Sequence, residues 1–556
     1  MKRDLEAAIA RAVKDTYGID VAIDLSRPDE KFGDYATNVA LKIAKDLQFA
    51  PREIAEELAN KLRTDLEDIL SDTSIAGPGF INLTLSDAAL IEAAQADVTG
   101  LHAGQRLLLE YSCPNAFKEL HTGHLYQTIV GDAIGKIFEA TGGVVYRANF
   151  GGDVGLHVAK CLYGIVETLG GENPEGLASV DEADRAEWLS AAYVKGATAY
   201  EEDEAAKAKI TEYNTAIYQF HQQNDHQSNL AQIYWTCRDW SYDYFKDFYQ
   251  KIETSAFDKY YPESTTSGRG LEVVRRNTGT VFQESEGAVV YDGEKVGLHT
   301  RVFITSKGLP TYEAKDLGVI YNEADDFEYD KRVIITGNDQ SEYMKVVFAA
   351  LGDIDANLAA KQNHLAHGTI RFGDGKKMSS RLGNVTRAID VIHETDQAVM
   401  DERPDAEHYK ITLAAVKYSF LKHRLGGDIA FDIQESVSLE GNSGPYLQYA
   451  HARARSILGK ADAGGSLGKD LQEGERILAR KISEYVEVID RAVADSMPHH
   501  VANYLYELAQ VFNYFYEHNR VIGEERQATR LALVEIYANT LRHGLHVLGI
   551  PTPDKM

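Results

Sequence analysis

The sequence has little cysteine and no long apolar run. Its three cysteines among 556 residues are Cys113, Cys161 and Cys237, which are too far apart for a CxxC zinc site and too few for a disulfide framework. No stretch approaches the ~20 apolar residues that a membrane-spanning helix needs, and the N-terminal segment lacks the apolar core and cleavage site of a signal peptide. We therefore expect a protein of the reducing cytoplasm with no membrane association.

Basic residues are also scarce relative to acidic ones. The sequence has 58 lysines and arginines but 85 aspartates and glutamates, which gives a net charge of −27. A surface of this sign repels phosphate and argues against non-specific binding of nucleic acid. Any RNA partner must therefore be bound through local basic and aromatic patches. The acidic balance also suits a cationic small substrate, although most acidic proteins are simply soluble, and that plainer interpretation has the larger weight.

The length predicts several domains, because one hydrophobic core rarely organises more than about 300 residues. Residues 1–103 carry helical periodicity from Met1 to Tyr17 and a later strand pattern, GFINLTL, which together indicate a small α+β domain. A turn-rich LHAGQR ends this unit. Residues 401–556 are almost wholly helical by period, with a break at ADAGGSLGKD, and they predict a helical bundle.

The central residues, 104–400, begin with a strand, a helix and a second strand: LLLEYS, HLYQTIVGDAIGKIFEA and VVYRANF. This is a βαβ unit, which predicts a parallel sheet. A charged helical stretch at 165–260 interrupts the pattern, and we interpret it as an insertion. Strand patterns return at GLHTRVFIT, RVIITG and HGTIRF, which we expect to complete the sheet by about residue 390. The predicted fold is thus α/β: a Rossmann-like parallel-sheet domain, an N-terminal α+β domain and a C-terminal α-helical bundle.

The first motif with chemical content is H-T-G-H, at His121, Thr122, Gly123 and His124, where the strand LLLEYS leads into the helix. A helix N-terminus at the carboxyl edge of a parallel sheet presents free N–H groups and a positive dipole end, which suit nucleotide phosphates. Two histidines three residues apart share a helix face and can donate to phosphate oxygens, and a glycine between them lets a ligand approach the backbone. Taken alone, such a pair is as typical of a surface or a metal site.

The second motif is the glycine-punctuated loop RFGDGKKMSSRLGNV, which follows the strand HGTIRF. It holds Lys376, Lys377, Met378, Ser379 and Ser380. A lysine on a movable loop can follow the β- and γ-phosphates as pyrophosphate departs. Most such loops are solvated basic turns, so the functional interpretation depends on the pairing of this loop with H-T-G-H.

An H-x-G-H turn after the first strand and a K-M-S-S loop after the last resemble the two signatures of class I aminoacyl-tRNA synthetases. The resemblance implies a catalytic domain at 104–400 in which both motifs bind ATP, with His121, His124 and Lys377 stabilising the charge on the phosphates. The family's loop commonly ends with a second lysine where this sequence has Ser380, and Lys118 is the candidate substitute. Mg²⁺ would arrive with the nucleotide, and no protein metal site is expected.

The residues around the first motif resemble the arginine-specific branch of this class, in which a strand ending in Glu leads through S-x-P-N and a lysine into H-x-G-H. This sequence keeps those residues and departs at Cys113 and Glu119, where the family commonly has Ser and Pro. NFGGDVGLH matches the family's G-D-W-G except for Val154, and LPTYEAKDLG and RVIITGNDQSEYMKVVF also match. The arginine-binding residues implied by the resemblance are Glu110, Asn115, Tyr312, Asp316 and Gln340.

Elementary chemistry favours the same ligand, though less strongly. A guanidinium is planar, carries five donors and is best held by carboxylates in a bidentate fork, with an aromatic ring available for stacking. Glu110, Asp316, Gln340 and Tyr312 would supply such a pocket, and Asn115 would hold the substrate amino group. Taken singly, each acidic residue is better interpreted as a strand-end or helix-surface charge, and Tyr312 as a core aromatic.

The resemblance extends to segments that would contact tRNA. The N-terminal FGDYATNVALKIAK and AGPGFINLTL resemble the domain that touches the tRNA elbow in arginyl enzymes, which makes Phe80 and Asn82 candidates for stacking on and bonding to unpaired bases. A core aromatic and a turn amide are equally good interpretations of this pair. GPYLQYAHARARSIL resembles the helical anticodon-binding domain, and its candidate contacts are Tyr446, Tyr449, His451, Arg453 and Arg455.

The implied reaction joins L-arginine to ATP as an adenylate and then to the 3′-terminal adenosine of tRNA(Arg), with release of AMP and pyrophosphate. We expect a cytoplasmic monomer that needs bound tRNA before it activates arginine. Two alternatives stay open. One is a class I enzyme for another amino acid, because the whole class shares both ATP motifs. The other is a catalytically silent tRNA-binding relative, against which the intact His121, His124 and Lys377 argue.

Overall fold

The computed structural model describes residues 1–372, 386–404, 407–461 and 464–553, and the chain begins with a small α+β unit. Its elements are α1 (Lys2–Tyr17), β1 (Leu25–Ser26), β2 (Tyr35–Thr37), α2 (Val39–Leu47), α3 (Pro51–Asp65), β3 (Leu70–Ala76), β4 (Phe80–Leu85) and α4 (Asp87–Ala94). The strands form an antiparallel sheet in the order β1, β2, β4, β3, and helical side chains such as Leu5 and Ile54 share its buried core. The predicted N-terminal α+β domain is confirmed.

A parallel sheet forms the centre of the chain. The elements of this region are β5 (Arg106–Glu110), α5 (Thr122–Ala140), β6 (Val144–Gly151), α6 (Leu156–Leu169), α7 (Arg185–Glu202), α8 (Glu204–Gln223), α9 (Asn229–Lys251), β7 (Lys259–Pro262), α10 (Glu263–Arg276), β8 (Gln283–Ser285), β9 (Ala288–Tyr291), β10 (Arg301–Ile304), α11 (Tyr312–Asp326), β11 (Lys331–Gly337), α12 (Ser341–Ile354), α13 (Ala356–Ala360), β12 (Gln362–His367), β13 (Ile370–Phe372) and α14 (Ala388–Glu402). Five strands pair in parallel in the order β12, β11, β5, β6, β7. The predicted Rossmann-like sheet is confirmed.

Two of the expected sheet strands belong elsewhere. The strand predicted in GLHTRVFIT is β10, which forms a separate antiparallel sheet with β9 and β8. The pattern HGTIRF is divided, because His367 ends β12 and the residues after Gly368 form β13, which leaves the main sheet. The physical reason is length and burial: a central parallel strand needs a long run that is buried on both faces, as in β11, whereas β10 is short and half exposed.

The predicted insertion consists of helices with a hydrophobic core of their own. Helices α6 to α9 bury one continuous cluster, which includes Leu162, Ile210 and Tyr234. Ala116 and Phe117, from the loop after β5, belong to the same cluster. The insertion is therefore packed directly against the loop that leads from β5 into α5.

The rest of the chain is a helical bundle that packs on α5. Its elements are α15 (His408–Leu421), β14 (Ile429–Phe431), α16 (Ile433–Val437), α17 (Gly444–Gly459), α18 (Glu473–Ser483), α19 (Tyr485–Asp495), α20 (His499–His518) and α21 (Gln527–Val547), with β14 paired to β13. Helices α15, α19 and α21 all contact α5. Buried Lys417 donates to Gly549 O at 2.7 Å. The predicted helical bundle is confirmed. Among the described residues, no helix combines the length and the apolar character that crossing a membrane requires.

Candidate active site

The candidate active site lies at the carboxyl edge of the parallel sheet, where the order of the strands reverses. Strands β6 and β7 extend the sheet on one side of β5, and β11 and β12 extend it on the other. Ligands of open α/β sheets bind in the crevice at such a switch point. The chain leaves β5 through Ser112, Cys113 and Phe117, whose φ angles of 69°, 43° and 68° are left-handed. Strained non-glycine residues clustered at a crevice are typical of a functional site.

The H-T-G-H motif forms the N-terminus of α5. His121 is the N-cap residue, and its Nδ1 accepts a hydrogen bond from Gly123 N at 3.1 Å. His124 Nδ1 accepts from His121 N at 3.2 Å, and the two rings stack with centroids 3.8 Å apart. Since each Nδ1 accepts, each proton is on Nε2, which leaves one N–H donor per histidine for a ligand. A β-carbon on Gly123 would lie 2.8 Å from His121 Cε1, so this ring itself requires the glycine.

Both histidines are neutral near pH 7. Burial lowers the pKa of His121 to about 4 and the pKa of His124 well below its usual value, and the nearby charge of Lys118 acts in the same direction. Burial also lowers the pKa of Lys118, which lies over the ring of Tyr193 and forms no ion pair with any described carboxylate. Neutral N–H donors, an unpaired ammonium group and a helix N-terminus together favour binding of an anion.

A third histidine, which the sequence analysis did not single out, lies beside the motif. His367 ends β12, where its Nδ1 donates to Gly368 O at 2.7 Å and its Nε2 accepts from the Gln127 amide at 2.8 Å. Both ring nitrogens are used, so His367 connects the end of β12 to α5. The sequence signal for it is its place at the carboxyl end of a sheet strand, which the interpretation of HGTIRF as one strand concealed.

The segment predicted as the second ATP motif lies outside the described residues, together with Lys376, Lys377, Met378, Ser379 and Ser380. The residues that follow it are described from Thr386 onward. Thr386 O accepts a hydrogen bond from Thr122 N at 3.1 Å. Ala388 N donates to Leu120 O at 2.8 Å. The chain that leaves the K-M-S-S segment is therefore hydrogen-bonded directly to the H-T-G-H turn.

Glu110, the last residue of β5, is fully buried and is paired with an arginine. Arg332 of β11 donates to Glu110 Oε2, and its Nε donates to Glu323 Oε2 at 2.6 Å. Burial raises the pKa of Glu323 well above its usual value, while the charge of Arg332 acts in the opposite direction. Glu110 Oε1 accepts the weak Cys113 thiol donor at 3.8 Å, and the Glu323 carboxyl group lies beside Glu110.

Asp316 of α11 is a buried acid of this crevice without a partner. Its side chain is 7% exposed and forms no hydrogen bond or ion pair within the described chain. The neighbouring Lys315 is already paired with Glu263, and both of these side chains are buried. Burial raises the pKa of Asp316 well above its usual value, and the nearby charge of Glu110 raises it further. Such a carboxyl group is stabilised in its ionised form by a ligand that brings a positive charge.

The other predicted arginine ligands lie around the same edge. Asn115 forms a parallel bridge with Gly152, where a β-carbon would lie 2.2 Å from Asn115 Oδ1, and this close contact explains the glycine before Asp153. Tyr312 is 57% exposed at the start of α11. Gln340 is exposed and ends the 3-10 turn Asn338–Gln340, so it lies one turn beyond the end of β11.

The helical insertion, in which the sequence analysis found no interpretable motif, reaches the same crevice. Tyr193 of α7 lies with its ring centroid 5.1 Å from Lys118 Nζ, and Tyr218 of α8 lies 5.9 Å from Lys315 Nζ. Helical periodicity alone assigns such tyrosines to a core or a surface, because it does not show which helices meet the sheet edge. The insertion therefore contributes side chains to the candidate site.

The two N-terminal tRNA candidates differ in exposure. Phe80 is 41% exposed at the start of β4. Asn82 is 4% exposed, and its amide lies 3.5 Å from Ser74 Oγ on the neighbouring strand. The ring of Phe80 is accessible to a base, whereas the amide of Asn82 contacts its own sheet.

The candidates on α17 differ in the same way. Tyr449 is 43% exposed. Tyr446 Oη accepts from Asn513 Nδ2 at 2.8 Å, and Arg453 donates to the same Asn513 at 3.3 Å. His451 is buried, and its Nδ1 lies 3.4 Å from Pro553 O. Tyr449 is thus the most accessible of these side chains.

Three family models match consecutive parts of the chain. Residues 1–85 match the arginyl-tRNA synthetase N-terminal domain, residues 86–432 match the catalytic domain of class I tRNA synthetases of the arginine type, and residues 447–556 match the DALR anticodon-binding domain. The catalytic-domain match covers more than half of the chain. It includes both ends of the crevice described above.

Curated relatives and solved structures agree with the family models. An arginine–tRNA ligase of Porphyromonas gingivalis is 29% identical over 99% of this chain and 99% of its own length. An arginine–tRNA ligase of Actinobacillus succinogenes is 30% identical over 95% of this chain and 94% of its own length. The Thermus thermophilus arginyl-tRNA synthetase superposes with a TM-score of 0.83 at 27% identity over the full length of both chains. An arginyl-tRNA synthetase of Plasmodium falciparum, at 20% identity and a TM-score of 0.82, shares the fold. The chain therefore belongs to the arginyl-tRNA synthetase family of class I, whose reaction is the ATP-dependent attachment of arginine to tRNA.

Proposed function

We propose that this chain activates L-arginine with ATP and transfers it to the 3′-terminal adenosine of tRNA(Arg), using the crevice between β5 and β11. The observation that supports this site is the difference between its two ends. One end holds paired neutral histidine donors with Lys118, and the other holds the unpartnered buried Asp316. The first suits phosphates and the second suits a guanidinium.

At the phosphate end, His121 and His124 would act as hydrogen-bond donors. The carboxylate of arginine attacks the α-phosphate in line, the bond to the β-phosphate breaks, and negative charge develops on the phosphoryl oxygens and the departing pyrophosphate. Nε2–H groups whose rings are already fixed by stacking and capping stabilise that charge without reorganisation. We assign the same role to Lys118 and to the predicted Lys377, with Gly123 and residues 378–380 as further ATP contacts.

At the arginine end, the charges leave room for one more cation. Arg332 pairs with Glu110 and Glu323, and Lys315 pairs with Glu263, so Asp316 is the unpaired acid that a guanidinium would neutralise. We propose the Glu110 carboxylate as a second acceptor, and Tyr312 offers an exposed ring for stacking. We propose Asn115 for the amino group and Gln340 for a further polar contact. An anionic side chain would meet buried carboxyl groups here and would be rejected.

We propose that Mg²⁺ is carried by the triphosphate. The groups at the H-T-G-H turn are imidazole N–H donors and an ammonium group, which bind oxygens of a phosphate and not a cation. Within the described residues, no cluster of three or more His, Cys, Asp and Glu side chains could hold a metal ion.

The proposed division of work follows the three predicted domains. Residues 1–103 would contact the tRNA elbow through Phe80 and Asn82, residues 104–400 would carry the chemistry, and residues 401–556 would bind the anticodon. For the last contact we propose Tyr446, Tyr449 and Arg453 of α17. Helix α5 joins these functions, because it begins at the histidines and packs against three helices of the bundle. We also propose that the enzyme is a monomer of the cytoplasm.

The proposed function is tested by an aminoacylation assay with each of the twenty amino acids on total tRNA. Acceptance of arginine alone, with ATP consumed to AMP, is the expected result. Efficient charging with lysine, glutamate or cysteine instead would support the alternative of a class I enzyme for another amino acid. Tight tRNA binding without any charging would support the catalytically silent relative.

A further inference from the structure

The short segment before α5 is held on one side by hydroxyl groups of the insertion. Phe117 N donates to Ser241 Oγ at 3.0 Å, and Glu119 N donates to Ser190 Oγ at 2.9 Å. Leu120 N lies 3.4 Å from Tyr244 Oη. Since these hydroxyls belong to α7 and α9, the insertion fixes the backbone that leads into His121.

The same segment is held on its other side by residues 386–388. Leu120 O and Thr122 N bond to the backbone of Ala388 and Thr386, and His121 forms an antiparallel bridge with Arg387. The backbone of the first histidine is therefore enclosed between the insertion and the start of α14.

The side chain of Arg387 connects all three parts. Its guanidinium donates to both oxygens of Asp390 at 2.9 and 2.7 Å, to Glu119 Oε1 at 3.3 Å, and lies 3.7 Å from Glu187 Oε2. These carboxylates come from α14, from the segment before His121 and from α7. Glu119 is one of the positions at which this sequence departs from its family, since Pro is common there. An arginine fork fits several carboxylates at fixed geometry, which a lysine does not.

We propose that Arg387 is a positioning residue of the adenylation step, which through Glu119 and Glu187 fixes His121 at the angle that its Nε2–H needs. This inference rests on the proposed role of His121 and His124 as phosphate donors. A displacement of donors by a fraction of an ångström lowers catalysis strongly while substrates still bind. The proposed positioning role of Arg387 also gives the insertion a function, because the insertion supplies Glu187 and Ser190.

The test compares steady-state aminoacylation by the full chain and its variants. Arg387→Gln removes the charge and the fork, and we expect kcat to fall about tenfold or more, with the KM for arginine and the thermal unfolding temperature close to wild type. Arg387→Lys should recover part of the loss. Glu119→Gln keeps the backbone bond to Ser190 and should lower kcat by a smaller factor, about threefold. Arg403→Gln, at the other end of the same helix, is the matched control and should keep full activity.

A double variant, Glu119→Gln with Arg387→Gln, separates positioning from general damage. If the two residues act as a pair, the double variant loses no more kcat than Arg387→Gln alone. A kcat of Arg387→Gln equal to wild type, or losses in the double variant that multiply, would overturn the inference. Should Arg387→Gln fail to fold, Arg387→Lys and Glu119→Gln take its place. A kcat below wild type in both variants supports the inference, and a kcat equal to wild type in both overturns it.

A His124→Ala variant, assayed alongside the others, separates a failure of this inference from a failure of the proposed function. An inactive His124→Ala with a fully active Arg387→Gln removes only the positioning role. An active His124→Ala removes the phosphate-donor role of the histidine and the inference with it.

Discussion

The two ends of the crevice are built on opposite principles. At the H-T-G-H end, the donors are neutral, capped and stacked, and the ammonium group of Lys118 has no partner among the described carboxylates. At the other end, the buried carboxyl groups of Glu110, Glu263 and Glu323 are paired with a cation, whereas Asp316 has no partner within the described chain. The comparison teaches that each end lacks the charge that its ligand brings. The H-T-G-H end lacks negative charge, which phosphates would supply, and the Asp316 end lacks positive charge, which a guanidinium would supply.

The largest effect is expected from breaking the phosphate end. His124→Ala removes a fixed Nε2–H donor and the bond from His121 N, so kcat for aminoacylation should fall by about 10²- to 10³-fold. The affinity for tRNA, measured by filter binding, should stay near the wild-type value. His546→Ala, at an exposed position of α21, is the control. Equal activity of His124→Ala and wild type would remove this histidine from the mechanism.

Breaking the arginine end should give a different kinetic signature. Asp316→Asn removes the unpartnered carboxylate, and the KM for arginine should rise about thirtyfold while the KM for ATP stays unchanged. The folded state should be no less stable in chemical denaturation, because the lost group is buried without a partner. Asp325→Asn on the exposed face of the same helix serves as control. An unchanged KM for arginine would place the guanidinium elsewhere.

The pH dependence of arginine binding sharpens the same contrast. The pKa of Asp316 is raised in the free protein, so its carboxyl group is neutral at low pH and ionises as the pH rises. A guanidinium binds the ionised form, and the KM for arginine should therefore decrease with rising pH, by at most about tenfold per pH unit. The trend should be absent in Asp316→Asn. A KM that increases with pH in the wild-type enzyme contradicts this charge assignment.

The smallest effect is expected far from the crevice. Tyr449→Ala removes an exposed ring of α17, and the KM for tRNA should rise about fivefold, since stacking on one base contributes about 1–3 kcal/mol. Tyr446→Phe deletes only a hydroxyl that Asn513 already occupies, and it should stay within about twofold of wild type. If the hydroxyl matters more than the ring at 449, the anticodon face has been assigned to the wrong side of the helix.

The sequence predicts the elements whose pattern is local. Helix α5 and its flanking strands follow from apolar periodicity and from the glycines at 142 and 143, and the place of H-T-G-H at the helix start follows with them. The assignment of strands to sheets is less accessible, because β10 and β13 have strand-like composition but pair outside the main sheet. Pairing is a long-range property that a short apolar run does not encode.

The site shows the same division. His121, His124, Glu110 and Asp316 were singled out from motifs and resemblance, and the fold brings them to one edge of one sheet. The burial and the hydrogen-bond or ion-pair partners of these residues could not be predicted from the sequence, because the partners are distant along the chain. Arg332 lies 222 residues from Glu110, and Arg387 lies 268 residues from Glu119 along the sequence. The contribution of Tyr193 and Tyr218 from the insertion is of the same kind, since only packing shows it.

The central claim is that one crevice receives the phosphates at the histidines and the guanidinium at Asp316. The most direct test is a crystal structure of this chain with a non-hydrolysable arginyl-adenylate analogue. The account predicts the phosphoryl oxygens, or their mimic, within hydrogen-bond distance of His121 or His124 Nε2, and the guanidinium within hydrogen-bond distance of the Asp316 carboxylate. A complex in which the analogue binds with its guanidinium away from Asp316, or its phosphoryl group away from both histidines, would contradict it.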